Sequence, residues 1–354
     1  DSAVGGDSAV GGDSAVGGDS AAGSSGLNAT AGASNTLGDG GFGGVVVMND
    51  VAGAAGIAAT AGEGGERAGN VPIDYSRALW PMPNPAGSGL PNSVSYDTTN
   101  ADVLVDQITG LMWQHELAPN PLAWAGAVAY CDSLSLAGST DWRLPSRIEL
   151  ISLFAANQAG TSFGGPFSGS AIPNGVWSSS TGTDTAWSMG PLNLSVTEVS
   201  KTSALNVRCV RTTGSPKPKP FGWVVDGATA TDGATGLIWQ RSLSFVPGSR
   251  MNASGYCAGL SLAGHEHWRL PTAQELSTLV DEHRSQPALV DDTFPEDLTS
   301  NGGVWTATLY SVGSDKFSPV VQFPDGAIES ESVFPATPNF YSARCVAWDT
   351  FGSM

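Results

Sequence analysis

Two glutamates, Glu149 and Glu275, occupy the same place in a phrase that the chain uses twice. The phrase reads DWRLPSRIELISL in one copy and HWRLPTAQELSTL in the other. A glutamate that recurs in this way could act as a general acid or base. In both copies, however, a hydroxyl residue, Ser146 or Thr272, precedes the glutamate by three positions, which is the signature of a helix capping box. We therefore expect both glutamates to start helices rather than to perform catalysis.

Four cysteines are the next residues with reactive side chains, and they are divided equally between the two copies. Cys131 and Cys257 each follow a tyrosine, whereas Cys209 and Cys345 each follow an arginine. Repeat symmetry selects the bridges Cys131 to Cys209 and Cys257 to Cys345, and the alternative is two buried free thiols in each copy. Each bridge would stabilise the fold by about 4 kcal/mol in the chain-entropy model. Disulfides indicate an oxidising location, such as the periplasm, the cell surface or the outside of the cell.

Two histidines in the second copy are candidate metal ligands. His265 and His267 are two residues apart, as two ligands of one ion can be. The first copy has Ser139 and Asp141 at these positions, and the sequence identifies no third ligand. We predict neither a metal site nor a cofactor.

Four tryptophans at matching positions could form flat platforms for sugar rings. They are Trp142 and Trp177 in the first copy and Trp268 and Trp305 in the second. Their recurrence suits core packing at least as well, and we favour that interpretation.

An acidic pair, Asp291 and Asp292, lies in a loop whose counterpart in the first copy is glycine-rich. Solvated loop charge is a simpler interpretation of this pair than a general acid and base. The sequence contains no nucleophile elbow, phosphate loop or zinc helix motif. We expect the protein not to be an enzyme.

The positions of these residues follow from an internal repeat. The motifs TGLMWQ, YCDSLSLAG and VRCV of one copy match TGLIWQ, YCAGLSLAG and ARCV of the other. The predicted organisation is a Gly/Ala/Ser/Asp-rich tail (1–75), a first domain (76–213), a Pro/Lys linker (214–220) and a second domain (221–354).

Each copy has the same predicted element order. A short strand, Leu111 to Gln114 or Leu237 to Gln240, precedes a first helix, for which Asn120 and Pro121 suit the N-cap and N1 positions. The phrase with the glutamate opens a second helix, and short strands follow it. This pattern predicts an α+β fold, with two helices and then a small antiparallel sheet in each copy.

The motif series TGLMWQ, Tyr-Cys, DWRLP, WSS and VRCVR resembles the bacterial Lcl C-terminal domain family, named for a collagen-like adhesin. The resemblance covers about residues 100–213 and 226–348. A more distant similarity links the motifs to formylglycine-generating and sulfatase-modifying domains, which are variants of the C-type lectin-like fold. The resemblance implies two tandem, compact α+β lectin-like domains of a kind used mostly for surface adhesion or glycan contact.

Two departures from these relatives bear on function. Formylglycine-generating enzymes need a copper-binding cysteine pair, whereas both cysteines of each domain are assigned here to a bridge. The calcium signature of sugar-binding C-type lectins is missing as well, because Gln286-Pro-Ala288 matches it only in part.

The net charge of −18 disfavours nucleic acid and sulfated glycans as partners. No apolar run of about 18 residues occurs, so the sequence predicts no transmembrane segment.

The tail begins with the hexapeptide DSAVGG, repeated three times, a composition that does not bury enough apolar surface to order itself in isolation. It also contains the one strand-like apolar run outside the two domains, formed by Phe42, Val45, Val46, Val47 and Met48. Such a run could add a strand to a sheet of a neighbouring subunit. The leading hypothesis is therefore a secreted, non-enzymatic subunit of an extracellular filament, a homopolymer assembled through the tail. The alternative is a cell-surface adhesin that binds a glycan and uses the tail as a flexible stalk.

Overall fold

A computed structural model describes most of the chain that follows the glycine-rich tail. The described residues are 74–154, 165–167, 172, 174–190, 194–217, 219, 222–245, 249–284, 289, 293–295, 302–333 and 341–348. They all belong to one compact unit. The proposed assembly segment, Phe42, Val45, Val46, Val47 and Met48, lies outside the described residues, as do Asp291 and Asp292.

The first copy contains two α-helices and seven strands among these residues. In chain order they are β1 (Tyr96–Asp97), β2 (Val103–Asp106), β3 (Leu111–Gln114), α1 (Trp124–Asp132), α2 (Arg147–Ser152), β4 (Val176–Thr181), β5 (Thr185–Met189), β6 (Val196–Ser200) and β7 (Val210–Thr212).

The second copy follows the same order with more strands. Its elements are β8 (Trp223–Asp226), β9 (Thr229–Asp232), β10 (Ile238–Gln240), β11 (Ser244–Phe245), α3 (Arg250–Ala258), α4 (Ala273–Ser277), β12 (Gly303–Trp305), β13 (Tyr310–Val312), β14 (Asp315–Gln322), β15 (Ile328–Ser332), β16 (Ser342–Ala343) and β17 (Val346–Ala347).

The strands form three sheets. Each copy has its own four-stranded antiparallel sheet, with the order β1-β2-β3-β7 in the first copy and β17-β10-β9-β8 in the second. The third sheet runs through both copies in the order β11-β16-β12-β14-β15-β6-β5-β4, with β13 paired to β14. The predicted strands at Leu111–Gln114 and near Leu237–Gln240 are thus confirmed, the second beginning at Ile238.

The α+β class expected from the sequence is wrong, because strands predominate and the described helices are at most nine residues long. The tandem arrangement does fit this β-rich fold. The strands that the sequence interpretation passed over, such as β2 and β9, are four residues long and too short for a clear alternation of apolar and polar residues.

The first helix starts later than predicted. Leu122 exchanges backbone hydrogen bonds with Leu205, at 2.8 and 3.1 Å, which holds the chain extended there. The helix therefore begins at Trp124, and its N-cap, Ala123, makes no side-chain capping bond. Asn120 and Pro121, which suit a helix start by residue type, precede it in a non-helical segment.

The two copies share a hydrophobic core rather than forming two domains that pack separately. The first residue of β6, Val196, pairs antiparallel with the first residue of β15, Ile328. Pairing between equivalent residues is what an approximate two-fold relation between the copies produces. One apolar cluster contains side chains of both copies, including Leu150 of α2 and Leu276 of α4, each at most 2% exposed.

Candidate functional site

The repeated cysteines form two disulfides. Cys131 of α1 is bonded to Cys209, 78 residues later, and Cys257 of α3 is bonded to Cys345, 88 residues later. These are the pairs that repeat symmetry selects. Since the chain has four cysteines, no thiol is left for redox or nucleophilic chemistry.

Both repeated glutamates are buried at helix starts. The backbone N–H of Ser146 donates to Glu149 Oε2 at 2.8 Å, and that of Thr272 donates to Glu275 Oε2 at 2.9 Å. The hydroxyl oxygens accept the reciprocal bonds from the glutamate N–H groups, so both capping boxes are complete. The carboxylates are therefore committed to the start of α2 and α4.

An arginine partner of each glutamate escaped the sequence analysis. Arg269 Nη1 and Nη2 donate to Glu275 Oε2 and Oε1, both at 2.6 Å, and Arg143 makes the equivalent pair of bonds to Glu149. The arginine backbone is also bridged to the last strand of its sheet, through Val210 or Val346. The signal was present, because an arginine lies six residues before the glutamate in both copies. The WRLP motif thus supplies a structural ion pair.

The glutamine that ends each TGLMWQ or TGLIWQ motif connects the first helix of its copy to the disulfide. Gln114 Nε2 donates to the Tyr130 hydroxyl at 2.9 Å, and Gln114 Oε1 accepts the backbone N–H of Cys209 at 3.2 Å. In the second copy Gln240 repeats both contacts, with Tyr256 and Cys345, at the same distances. The recurrent tyrosine next to the cysteine is therefore explained by packing and hydrogen bonding.

A buried aspartate closes the turn before the TGL strand in each copy. Asp106 Oδ1 accepts the N–H of Ile108 at 2.8 Å, and Asp232 Oδ1 accepts the N–H of Ala234 at 2.9 Å. Removal from water raises the pKa of both carboxyls above the ordinary range, although the turn hydrogen bonds lower it in part. Burial of the two carboxyls accounts for their raised pKa values, so no catalytic arrangement is needed to explain them.

The four tryptophans considered as sugar platforms lie in the core. Trp177 and Trp305 are fully buried, and Trp142 and Trp268 are at most 3% exposed. The indole N–H of Trp177 donates to the Leu122 carbonyl at 2.8 Å. A ring with no open face cannot stack on a sugar, so the packing interpretation is correct and the platform interpretation is wrong for these residues.

The candidate metal ligands do not converge. The ring of His265 meets Trp268 edge-on, with the ring centroids 6.2 Å apart, while His267 is exposed and has a φ of 62°. Across the described ranges, no group of three or more His, Cys, Asp or Glu side chains could hold a metal ion.

The contact between the copies contains buried polar groups. Arg77 Nη2 donates to Asp281 Oδ2 at 2.6 Å, across the interface. Arg147 Nη2 donates to the Gly326 carbonyl, and desolvation lowers the pKa of this fully buried guanidinium to about 10. The interface therefore combines apolar packing with directional contacts that keep the copies in one orientation.

Exposed large apolar side chains are distributed unequally between the copies. Every one identified in the described part of the chain belongs to the second copy: Val224, Val225, Phe245, Met251, Leu309 and Val312. Most of these lie on strands at the margin of a sheet, in β8, β11 and β13, or next to one. The strongest candidate for a contact surface is therefore a sheet edge of the second copy that no described strand covers, a feature that the sequence alone did not locate.

Comparison with known proteins gives a family assignment. The model of the Lcl C-terminal domain matches residues 102–211 and again residues 228–347, which together make up more than half of the chain. No curated protein matches the chain. Neither the distant similarity to formylglycine-generating enzymes nor the C-type lectin-like fold is shown by these comparisons. Among the described helices, none is long and apolar enough to cross a membrane. The two matches coincide with the two copies of the repeat, and the chain therefore belongs to the Lcl C-terminal domain family, with two tandem domains.

Proposed function

We propose that this protein is a secreted or cell-surface structural subunit, without enzymatic activity, that assembles into an extracellular filament through its N-terminal tail. The family and the two disulfides are compatible with an extracellular or surface protein. The non-enzymatic part of the proposal is supported by the use of the repeated residues. Within the described region, the recurrent cysteines form disulfides and the recurrent glutamates pair with arginines. The recurrent tryptophans are buried.

The observation that carries the assembly proposal is the distribution of exposed apolar side chains. A second copy with apolar sheet edges offers surface that a neighbouring chain can cover. The tail offers a matching element, because residues 45–48 read Val-Val-Val-Met and carry no charge. A contact between one chain's tail and another chain's second domain joins two different surfaces, and such contacts propagate into open polymers unless the rotation between subunits closes a ring.

The adhesin alternative is weakened, because the four repeated tryptophans that were candidate sugar-stacking platforms are buried. A glycan site would have to use other side chains, and the net charge of −18 disfavours acidic sugars. Glycan binding therefore ranks second, and a glycan array on the folded region would revive it if it gave a reproducible hit.

Substitutions in the full chain test the proposal. Replacing Val45, Val46 and Val47 by aspartate puts three charges in the assembly segment, whereas the control replaces Val4, Val10 and Val16 of the hexapeptide repeats in the same way. We expect the wild-type chain and the control to form filaments in negative-stain electron microscopy, and the Val45–Val47 variant to remain as discrete particles. Loss of filaments in both variants, or in neither, would contradict a specific role for residues 45–48.

A further inference from the structure

The two copies differ in the residues that they place on one equivalent sheet edge. β1 and β8 are equivalent terminal strands, since Tyr96 pairs with Asp106 as Trp223 pairs with Asp232. This register places Asp97 of the first copy at the position of Val224 in the second. Aspartate on an edge strand opposes further strand pairing. β8 carries an aspartate, Asp226, only at its last position, and two adjacent exposed valines precede it. Val224 and Val225 are 68% and 47% exposed.

We infer that the edge of β8 that faces away from β9, which no strand of the described region covers, is the acceptor for residues 45–48 of a neighbouring copy, which add to it as an extra strand. This inference rests on the proposed function and names the surface through which the tail would act. The added strand would extend the sheet β17-β10-β9-β8 by one member beyond β8.

The backbone of β8 is oriented for such an addition. The N–H of Gly233 donates to the Gly222 carbonyl at 2.8 Å, which sets the phase of the β8–β9 ladder. Because bonding direction alternates along an antiparallel strand, Val224 and Asp226 bond towards β9. The N–H and C=O of Val225 then point away from β9, and no partner for them occurs among the described residues. An incoming strand would satisfy both groups.

The chemistry of the edge favours an uncharged, β-branched segment. Val224 and Val225 point to opposite faces of the sheet, so an added strand is met by an exposed valine on each face. Residues 45–47 are three consecutive valines and present apolar side chains to both faces as well. Because the chain has a net charge of −18, an uncharged tail segment also avoids electrostatic repulsion from the acidic subunit to which it would bind.

The length of the connecting chain permits contact with another molecule. Residues 49–73 separate the segment from Asp74, where the described region begins. When extended, they span up to about 80 Å, which is enough to leave one folded domain and reach the next subunit.

A single substitution tests the acceptor without touching the tail. Val224→Asp gives the second copy the residue that the first copy has at this position, and it places a charge where the added strand would pack. We expect it to raise the protein concentration needed for assembly by about tenfold or more. Met251→Asp is the matched control, because Met251 is 65% exposed on α3 rather than on β8, and the change should leave that concentration unchanged.

A cross-linking experiment identifies the occupant of the edge. One copy carries Val224→Cys and a second, tagged copy carries Val45→Cys, Val46→Cys or Val47→Cys in turn, while the four native cysteines remain bridged. In an added strand neighbouring side chains face opposite sides. Mixed disulfide dimers should therefore form either with the Val46→Cys chain alone, or with the Val45→Cys and Val47→Cys chains but not with Val46→Cys.

The outcomes separate the inference from the function that it deepens. Tail-dependent filaments that are as sensitive to Met251→Asp as to Val224→Asp, or insensitive to both, would overturn the β8 acceptor and leave the filament proposal standing. Cross-links only between two Val224→Cys chains would replace the tail with a second β8 edge as the occupant. A wild-type chain that never assembles would overturn both proposals.

Discussion

Arg143 binds Glu149 through two parallel hydrogen bonds, from Nη1 to Oε2 at 2.6 Å and from Nη2 to Oε1 at 2.5 Å. The same carboxylate accepts the N–H of Ser146, and the backbone of Arg143 is bridged to Val210 at the last strand of the sheet. One glutamate therefore connects the start of α2 to the sheet. Since Arg269 and Glu275 repeat the arrangement, the recurrent phrase WRLP-x-x-x-Glu serves the architecture of each domain.

Replacing Glu149 by glutamine should destabilise the folded chain by about 3 kcal/mol, because it leaves a largely buried arginine without its counter-charge. Glu275→Gln should have a similar effect, since Glu275 occupies the equivalent site. Urea unfolding followed by tryptophan fluorescence measures both changes.

The exposed Glu266, in the loop before the second WRLP motif, supplies the control for this measurement. Glu266→Gln should alter the free energy of unfolding by less than about 0.5 kcal/mol. In a double-mutant cycle, Arg143→Met with Glu149→Gln should cost less than the sum of the single changes. Additive costs would show that the ion pair is not a stabilising unit.

Removing one disulfide by the paired change Cys131→Ala and Cys209→Ala should lower the free energy of unfolding by about 4 kcal/mol, because the bridge closes a long loop. The change Cys257→Ala with Cys345→Ala should cost about as much, since the sequence separations are 78 and 88 residues. Denaturant unfolding of the purified variants gives both values. An unchanged unfolding midpoint in either variant would mean that this bridge does not constrain the unfolded chain.

The buried aspartates should make stability depend on pH in a predictable direction. Burial raises the pKa of Asp106 and Asp232 in the folded chain. A carboxyl with a raised folded pKa contributes stability that is fully present below about pH 4 and is lost as the pH rises through the folded value. Asp106→Asn removes this loss, so the free energy of unfolding of the variant should improve relative to wild type as the pH rises above about 4.

Asp97 provides the opposite case for the same titration. A backbone hydrogen bond from Thr99 lowers the pKa of this exposed carboxyl, so its contribution is present above the unfolded pKa and is lost as the pH falls. Asp97→Asn should therefore lose stability relative to wild type as the pH rises. Parallel trends for the two variants would contradict the assignment of burial as the cause of the raised Asp106 pKa.

The shared core predicts that the two copies unfold together. Ile328 is fully buried at the contact between β15 and β6, and Ile328→Ala should destabilise the chain by about 3 kcal/mol. Hydrogen exchange measured by mass spectrometry should show faster global exchange in both copies. The control Val312→Ala, at a 46% exposed position of β13, should leave the first copy unchanged. Faster exchange confined to the second copy in Ile328→Ala would show that the copies unfold independently.

Local and repeated features were readable from the sequence, because each depends on residues close together or on symmetry between the copies. The capping boxes need only Ser146 and Glu149, or Thr272 and Glu275, three positions apart. The cysteine pairing follows from the presence of one early and one late cysteine in each copy. The arginine partners were equally readable in principle, since Arg143 and Arg269 recur at the same spacing.

The arrangement of the copies could not be read in the same way. It depends on long-range contacts between residues that the repeat does not share, such as Arg147, which is replaced by Ala273 in the second copy. The β-rich class was hidden for a related reason, because most of the strands are only two to five residues long and short strands gain their stability from neighbours far along the chain. The exposed valines at the β8 edge became recognisable as a difference between the copies only once the register of β8 with β9 aligned Val224 with Asp97 of the first copy.

The central claim is that the tail joins one folded region to the next. The measurement that tests it most directly is negative-stain electron microscopy of the full chain beside a form that starts at Asp74. The shorter form keeps both disulfides and the shared core. It also keeps the contact of Tyr75 with Arg143, whose guanidinium carbon lies 3.8 Å from the centroid of the tyrosine ring. The account predicts filaments from the full chain and discrete particles from the shorter form, with matching circular dichroism in the folded region. Discrete particles from both forms, or filaments from both, would contradict it.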